Sequence, residues 1–282
     1  MKRRKKNNLI IHISLSAFGF MLVFPIIWLF FAALKPNNEI MNTINILPSS
    51  FIWTNFAEGW TMVKPYMFSR FYFNTFVMVF GCVLGSLVSS TLVGFGFARM
   101  KFRLNKFLFS VLFSTIMLPG IIVMIPMYII FSNIGWLNSI KPFVVPSFLG
   151  VGEGGVFFIF MMHQFLKGIP KELDESAKID GCGAMRTLLQ VLVPLCKPAL
   201  FSICIFSFMW NWDNFQAQLI YLNDVKKFTV SLALRTTIDV SGAENWGAIM
   251  AMSLVAVLPA IILFFTAQKY FVEGIATTGL KG

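Results

Sequence analysis

Six long apolar stretches constrain this sequence of 282 residues more than any other feature. A transmembrane helix needs about 20 mostly apolar residues, because each residue rises about 1.5 Å and the hydrocarbon layer is about 30 Å thick. Stretches of this length lie at about 9–34, 71–97, 107–131, 143–165, 198–222 and 246–267. The sequence therefore predicts an all-α, polytopic membrane protein with six transmembrane helices.

The composition excludes the main soluble alternatives. Charged residues make up only 12% of the chain and hydrophobic residues 57%, whereas soluble domains carry about 25% charged residues. Such a chain is neither a soluble enzyme nor a disordered segment. Its four cysteines form no CxxC pair and show no metal-ligand spacing, so we interpret them as small buried apolar residues rather than a disulfide framework.

The excess of positive charge predicts the orientation in the membrane. The chain has 23 Lys and Arg against 12 Asp and Glu, a net charge of +11. With six spans, sixteen of these cations fall on the side of the basic N-terminal tail (1–8) and seven on the other side. Because Lys and Arg are enriched in cytoplasmic loops, both termini are expected in the cytoplasm of a bacterial-type cell, beneath its inner membrane. Because membrane topology accounts for the positive charge, we expect the chain to contact membrane lipid and to have no nucleic-acid partner.

The connection at 166–197 is the most patterned part of the single domain expected over 9–282. Pro170 and the acids after it are typical of a helix start, and Gly181 of a helix end. A second short helix is expected at about 184–191, which gives a helix–turn–helix on the cytoplasmic surface. Leu173 and Ala177 share a helix face that would suit docking to a partner. A solvated amphipathic loop is an equally good interpretation of the pattern alone.

The same stretch carries a family resemblance. Glu175-Ser176-Ala177, Asp180-Gly181 and Val193-Pro194 resemble, with the right spacing, the Glu-Ala-Ala loop of ABC importer permeases. Ser and Val replace the usual Ala, Ile and Leu at three positions. The segments 94–99, 118–138 and 268–282 are also similar to that family, and most of all to the maltose-type second permease subunit of carbohydrate importers.

The resemblance implies a function and partners. The loop would dock on an ATP-binding subunit through Glu175, Ser176, Ala177, Asp180 and Gly181, and the 268–282 tail would contact it through Gly279 and Lys281. The chain would work with a second permease, two ATP-binding subunits and an extracellular solute-binding protein, and would import a sugar or oligosaccharide. The sequence contains no Walker A phosphate-binding loop. It is therefore expected to be no enzyme and to bind no cofactor, with ATP and Mg on the partner ATPase.

Polar residues within apolar stretches are candidates for the translocation path, because ionisable groups at membrane depth are usually functional. The candidates are Glu153, Trp210, Asn211, Asp213 and Asn214. Aromatic faces beside amides and carboxylates suit polyhydroxylated ligands. Two other interpretations remain: Glu153 in a short loop near the outer surface, and structural packing of the patch around Trp210. Four glycines near Glu153 also indicate a helix break or close packing.

An ion-driven secondary transporter or channel is the alternative function. That class predicts charged relays within the spans or inverted repeats, and the sequence shows two intramembrane acids and no evident repeat. A membrane enzyme would require a cluster of catalytic polar groups, which is also not evident.

Overall fold

The computed structural model describes residues 2–42, 44–240 and 245–279, and all regular secondary structure in them is helical. The α-helices are α1 (Lys2–Ala32), α2 (Asn37–Asn42), α3 (Thr54–Trp60), α4 (Phe68–Arg99), α5 (Asn105–Ser114), α6 (Gly120–Asn133), α7 (Lys141–Phe148), α8 (Gly155–Gly168), α9 (Glu172–Ile179), α10 (Ala184–Thr187), α11 (Val193–Leu195), α12 (Lys197–Asp213), α13 (Phe215–Tyr221), α14 (Val230–Val240) and α15 (Trp246–Gly279). Two 3₁₀ turns, Thr115–Met117 and Val225–Lys227, and one π turn, Leu188–Leu192, complete the helical structure.

Three of the predicted apolar stretches form single helices that are long enough to cross a bilayer. These are Ile11–Ala32 in α1, Phe68–Arg99, and Trp246–Ala267 in α15. Two further crossings are possible if each of two sharply bent helix pairs counts as one span, so the described residues hold three to five candidate spans. The expectation of a polytopic, all-helical membrane protein is confirmed at this coarser level.

Prolines explain the two bends. Helices at Asn105–Met117 and Gly120–Asn133 meet at 101°, and those at Ala184–Leu195 and Lys197–Asp213 meet at 80°. Pro119 stands in the first bend, and Leu118 before it is extended, with ψ 121°, as the residue preceding a proline prefers. In the second bend, proline occupies the first turn of α12, where the missing N–H costs no helical hydrogen bond.

The stretch at 143–165 is not one continuous helix. It is divided between α7 and α8 by a loop at 149–154. Gly150 and Gly154 both adopt left-handed backbone conformations in this loop, with φ +75° and +70°. Side chains other than glycine rarely adopt that conformation. The continuous span expected there is therefore corrected to two short helices, and the glycine-rich break was one of the possibilities that the sequence left open.

The chain divides into two compact units, the first comprising residues up to Arg70 with Ala233–Pro259. Within it, buried Asn55 donates hydrogen bonds through Nδ2 to the carbonyls of Ala33 and Lys35, both at 3.0 Å. These bonds connect α3 to the end of α1. Residues 11–31 of α1 are mostly exposed and apolar, as expected of a helix that faces lipid or another protein.

The second unit comprises Phe71–Leu232 and the segment from Ala260 onward. A buried apolar core joins α4, α8 and α12 with the π turn. Its buried members are Phe95, Phe158, Met162, Leu166, Leu188, Leu192, Cys196, Ala199 and Ile203. This core fixes the ends of the connection between α8 and α12.

Candidate functional sites

The segment 172–187, termed here the helix–turn–helix segment, consists of α9, a tight turn and α10. Three acids lie in the first turn of α9 and Lys178 lies in its last turn, an arrangement that complements the helix dipole. The Ser176 hydroxyl donates to the Glu172 carbonyl at 2.9 Å. The charge arrangement stabilises a helix of only eight residues.

The predicted docking residues divide between two faces of α9. Glu175, Ser176 and Asp180 are exposed. Ala177 is only 5% exposed and is the one buried residue of α9. Ala177 therefore faces the body of the protein, and Leu173 and Ala177 do not together form an outward surface.

The turn after α9 is a Schellman motif centred on Gly181. Gly181 has φ +78°, and its N–H donates to the Lys178 carbonyl at 3.1 Å. The Cys182 N–H donates to the Ala177 carbonyl at 2.9 Å. These are the two bonds that define this helix end, and the helix stop expected at Gly181 is present.

Three large apolar side chains are exposed in or beside the helix–turn–helix segment, and sequence reasoning missed them. Ile179 is 87% exposed, and Met185 and Leu189 are each more than half exposed. Apolar groups beside exposed acids are typical of a protein contact surface. The signal was present in the sequence, since Ile179 interrupts a polar run, but only the turn at Gly181 shows that it points outward.

Arg99, the last residue of α4, contacts α9 through an ion pair that the sequence did not indicate. Its Nη1 lies 3.1 Å from Asp174 Oδ2, and its Nη2 donates to the Ile169 carbonyl at 2.8 Å. Arg99 was noted only as part of the 94–99 resemblance. Seventy-five positions separate it from Asp174, and no local pattern connects such distant residues.

A second group of predicted residues meets where the 149–154 loop approaches the end of α12. Asn214 Nδ2 donates to Glu153 Oε2 at 3.0 Å, and Asn214 Oδ1 accepts from the Ala217 N–H at 3.2 Å as the N-cap of α13. Glu153 is exposed in the loop and Asp213 is exposed at the last residue of α12. The structure thus brings Glu153 and Asn214 into direct contact.

Trp210 forms an aromatic wall beside this contact. Its ring stacks on Phe158 with centroids 5.3 Å apart, and it also lies 5.6 Å from Phe157 and 5.7 Å from Phe206. A Cβ added to Gly154 would approach the Trp210 ring to 2.2 Å. The loop that carries Glu153 therefore rests directly on this tryptophan.

Asn211 has a different environment from the other members of the patch. It is buried, and its Nδ2 donates to the Ser207 carbonyl at 2.8 Å. Its own carbonyl accepts from Gln218 Nε2 at 3.4 Å across the break between α12 and α13. Asn211 therefore supports the helix break, which agrees with the packing interpretation for this residue, whereas Trp210, Asp213 and Asn214 remain accessible.

The structure does not test the contacts expected of Gly279 and Lys281 in the C-terminal tail. Gly279 is the last residue of α15, and Lys281 lies outside the described residues. Both assignments stay predictions.

Comparison with known proteins identifies the family. Residues 90–277 match the model of the binding-protein-dependent transport system inner membrane component. The arabinooligosaccharides transport system permease protein AraQ of Halalkalibacterium halodurans is 28% identical over all of both chains. The sn-glycerol-3-phosphate transport system permease protein UgpE of Brucella abortus is 27% identical over 99% of each. The melibiose/raffinose/stachyose import permease protein MelC of Bacillus subtilis is 29% identical over 84% of each.

A solved structure supports the fold. A chain of a bacterial ABC transporter involved in the import of the acidic polysaccharide alginate superposes with a TM-score of 0.82, covering 96% of this chain and 98% of that one at 20% identity. The match to the family model extends over two thirds of the sequence and includes both the helix–turn–helix segment and the Glu153–Asn214 contact. The chain therefore belongs to the family of binding-protein-dependent transport system inner membrane components.

Proposed function

We propose that this chain is one of two permease subunits of an ABC importer for a carbohydrate, with oligosaccharides as the substrate class. The observation that carries the proposal is the similarity to permeases named for oligosaccharides, AraQ over the whole chain and MelC over 84% of it. The permease would lie in the inner membrane with six crossings and both termini in the cytoplasm. The apolar stretches at 71–97, 107–131, 143–165 and 198–222, which lie in the second unit, would then supply spans two to five.

The helix–turn–helix segment is the proposed docking site for an ATP-binding subunit, which would hold ATP and Mg. The support comes from its exposed groups: Glu175, Ser176 and Asp180 beside Ile179. Ala177 and Gly181 would act indirectly, Ala177 by seating the helix on the permease and Gly181 by reversing the chain. Gly279 and Lys281 of the tail would add a second contact with the same subunit.

The contact between Glu153 and Asn214, beside Trp210 and Asp213, is the proposed part of the translocation path. Its chemistry supports a sugar: an indole face stacks on C–H groups, while carboxylate and amide groups bond hydroxyls. In the described residues Glu153 and Asp213 form no ion pair. One oxygen of Glu153 accepts from Asn214, and the exposed carboxylates of Glu153 and Asp213 would supply further acceptors to sugar hydroxyls. A second permease would complete the path, and an extracellular solute-binding protein would deliver the substrate.

Co-purification and uptake test this function. The chain is expressed with its neighbouring transporter genes and purified through a tag on this chain alone. An ATPase subunit and a second permease are expected in the eluate, with sugar uptake into proteoliposomes that requires internal ATP. Uptake that persists without any ATPase subunit, driven by an ion gradient, would instead establish a secondary transporter.

Paired cysteine variants test the topology and the docking surface together. In a background without native cysteines, Ile179→Cys and Ile44→Cys each place a thiol at a well-exposed position. A membrane-impermeant maleimide is expected to label Cys at 179 only in inside-out vesicles and Cys at 44 only in right-side-out vesicles. Added ATPase subunit should protect position 179 and leave position 44 unchanged. Labelling of both from one side contradicts the proposed orientation.

A further inference from the structure

The connection between α4 and α9 carries a buried charge that the proposed docking function does not use. The side chain of Arg99 is 6% exposed and that of Asp174 is 26% exposed. A guanidinium removed from water is costly unless it is paired and hydrogen-bonded. Arg99 meets this requirement in part: Nη1 is ion-paired with the Asp174 carboxylate and Nη2 donates to the Ile169 carbonyl, whereas Nε has no hydrogen-bond partner.

The two partners of Arg99 lie on opposite sides of the joint between α8 and α9. Ile169 directly follows the last residue of α8, and Asp174 lies in the first turn of α9. The planar fork of an arginine can hold both at once, and its geometry restricts their relative orientation. Arg99 therefore connects the end of α4 to both sides of this joint, through a hydrogen bond to Ile169 and an ion pair with Asp174.

The apolar contacts of α9 are few, so by themselves they attach it only weakly to the rest of the protein. Ala177, whose side chain is a single methyl group, is its one buried residue. The other two acids of its first turn, Glu172 and Glu175, are exposed and form no ion pair within the described part of the chain. The charged contact with Arg99 is thus the main directional attachment at the N-terminal end of α9.

At its other end α9 is tied through the turn at Gly181 to α10, which continues into the buried Leu188 and Leu192 of the apolar core. Phe95, one turn before Arg99 on α4, belongs to the same core. A displacement of α9 consequently reaches α4 by two routes, one apolar and one ionic. The ionic route acts on the N-terminal turn, where the exposed Glu175 lies.

We propose that Arg99 and Asp174 form a positioning pair that transmits movement of α9 to α4 and so couples ATP hydrolysis to transport. The inference rests on the proposed function, since it takes α9 as the element that the ATPase moves. It separates two roles within one acidic turn: Asp174 faces inward and holds α4, whereas Glu175 faces outward to the partner. The pair touches neither nucleotide nor sugar.

The test compares Asp174→Asn, Arg99→Met and Arg99→Lys with the control Glu172→Gln, which alters an exposed acid on the same turn. Each complete complex, with its ATPase subunits, second permease and binding protein, is purified and placed in proteoliposomes. Three quantities are measured: the ATPase subunit recovered per permease, the rate of ATP hydrolysis, and sugar taken up per ATP hydrolysed. Asp174→Asn preserves shape, so it remains informative if Arg99→Met fails to fold.

Asp174→Asn and Arg99→Met are expected to keep the ATPase subunit but to lower uptake per ATP by about tenfold, the lower end of the effect of losing a contact with a charged group. Arg99→Lys, which keeps the charge without the fork, should fall between them and wild type. Glu172→Gln should match wild type. Unchanged uptake per ATP in Asp174→Asn overturns the inference, and so does loss of the ATPase subunit, which would make the pair a docking element. An absence of ATPase from the wild-type complex would instead refute the proposed function.

Discussion

Substitution of Gly181 offers the sharpest test of the helix–turn–helix segment as a docking element. An ideal Cβ at this position meets no atom within 4 Å, so a larger side chain has room. The backbone is the obstacle, because φ is +78°. An L-residue with a side chain costs about 1–2 kcal/mol in the left-handed region, and a β-branched residue costs more.

The expected loss of ATPase binding follows from this backbone strain alone. A penalty of about 1–2 kcal/mol changes the population of the turn by a factor of about 5–30. A partner that requires the turn would bind more weakly by up to the same factor, since apparent affinity scales with the competent fraction. Gly181→Ala should therefore weaken ATPase binding by up to about 5- to 30-fold, and Gly181→Val should weaken it further.

Two further variants separate backbone strain from other effects. Asn tolerates the left-handed region better than other residues with side chains, so Gly181→Asn should retain most of the affinity. Gly183→Ser is the matched control, because Gly183 has φ −70° and ψ 164° at the N-cap of α10 and also has open space around it. Serine suits that position and should bind like wild type.

The assay is titration of purified ATPase subunit against the permease complex, with uptake measured in parallel. Affinity should decrease in the order wild type, Asn, Ala, Val at position 181. The reasoning is refuted if Gly181→Val binds like wild type, or if Gly183→Ser is as defective as Gly181→Val. The first result would mean that the turn is not part of the docking geometry, and the second that backbone conformation is not the cause.

Three other predictions concern the second group of residues and the first unit. Gly154→Ala should destabilise the protein by about 2–5 kcal/mol, because it combines left-handed strain with a clash against Trp210, measured as a lower thermal midpoint in detergent. Asn214→Ala should reduce sugar uptake and also stability by about 1 kcal/mol, since it removes both the bond to Glu153 and the N-cap of α13, measured by uptake and thermal unfolding. Asn55→Leu should cost about 2–4 kcal/mol, because two buried backbone carbonyls lose their donor, measured by the same unfolding assay.

The substitutions of Gly154 and Asn214 each have an informative control. Gly96→Ala adds a methyl group in open space within α4 and should leave the thermal midpoint nearly unchanged. Asn214→Asp keeps a good N-cap but replaces the amide donor with a second carboxylate next to Glu153. It should keep the N-cap contribution to stability, lose some stability to repulsion between the two carboxylates, and still lose uptake. Equal uptake by Asn214→Asp and wild type would contradict a role for this contact in the translocation path.

Sequence reasoning reached the helical class and the turn at Gly181 because both depend on local chemistry. Apolar runs of about 20 residues can satisfy their backbone in a bilayer only as helices, and a glycine after an acidic short helix is a strong stop signal. The same reasoning treated 143–165 as one span with a possible break. Hydropathy averages over a window and does not register a loop of six residues.

The sequence by itself determined that this chain is a helical membrane protein, that its cations lie unevenly about the predicted spans, and that α9 stops just before Gly181. These properties follow from side-chain polarity and backbone conformational preference at each position. Tertiary structure decided which residues meet: Arg99 with Asp174, Glu153 with Asn214, and Ala177 with the interior. Such contacts join residues far apart in the chain, and their geometry depends on how the helices pack and where they break.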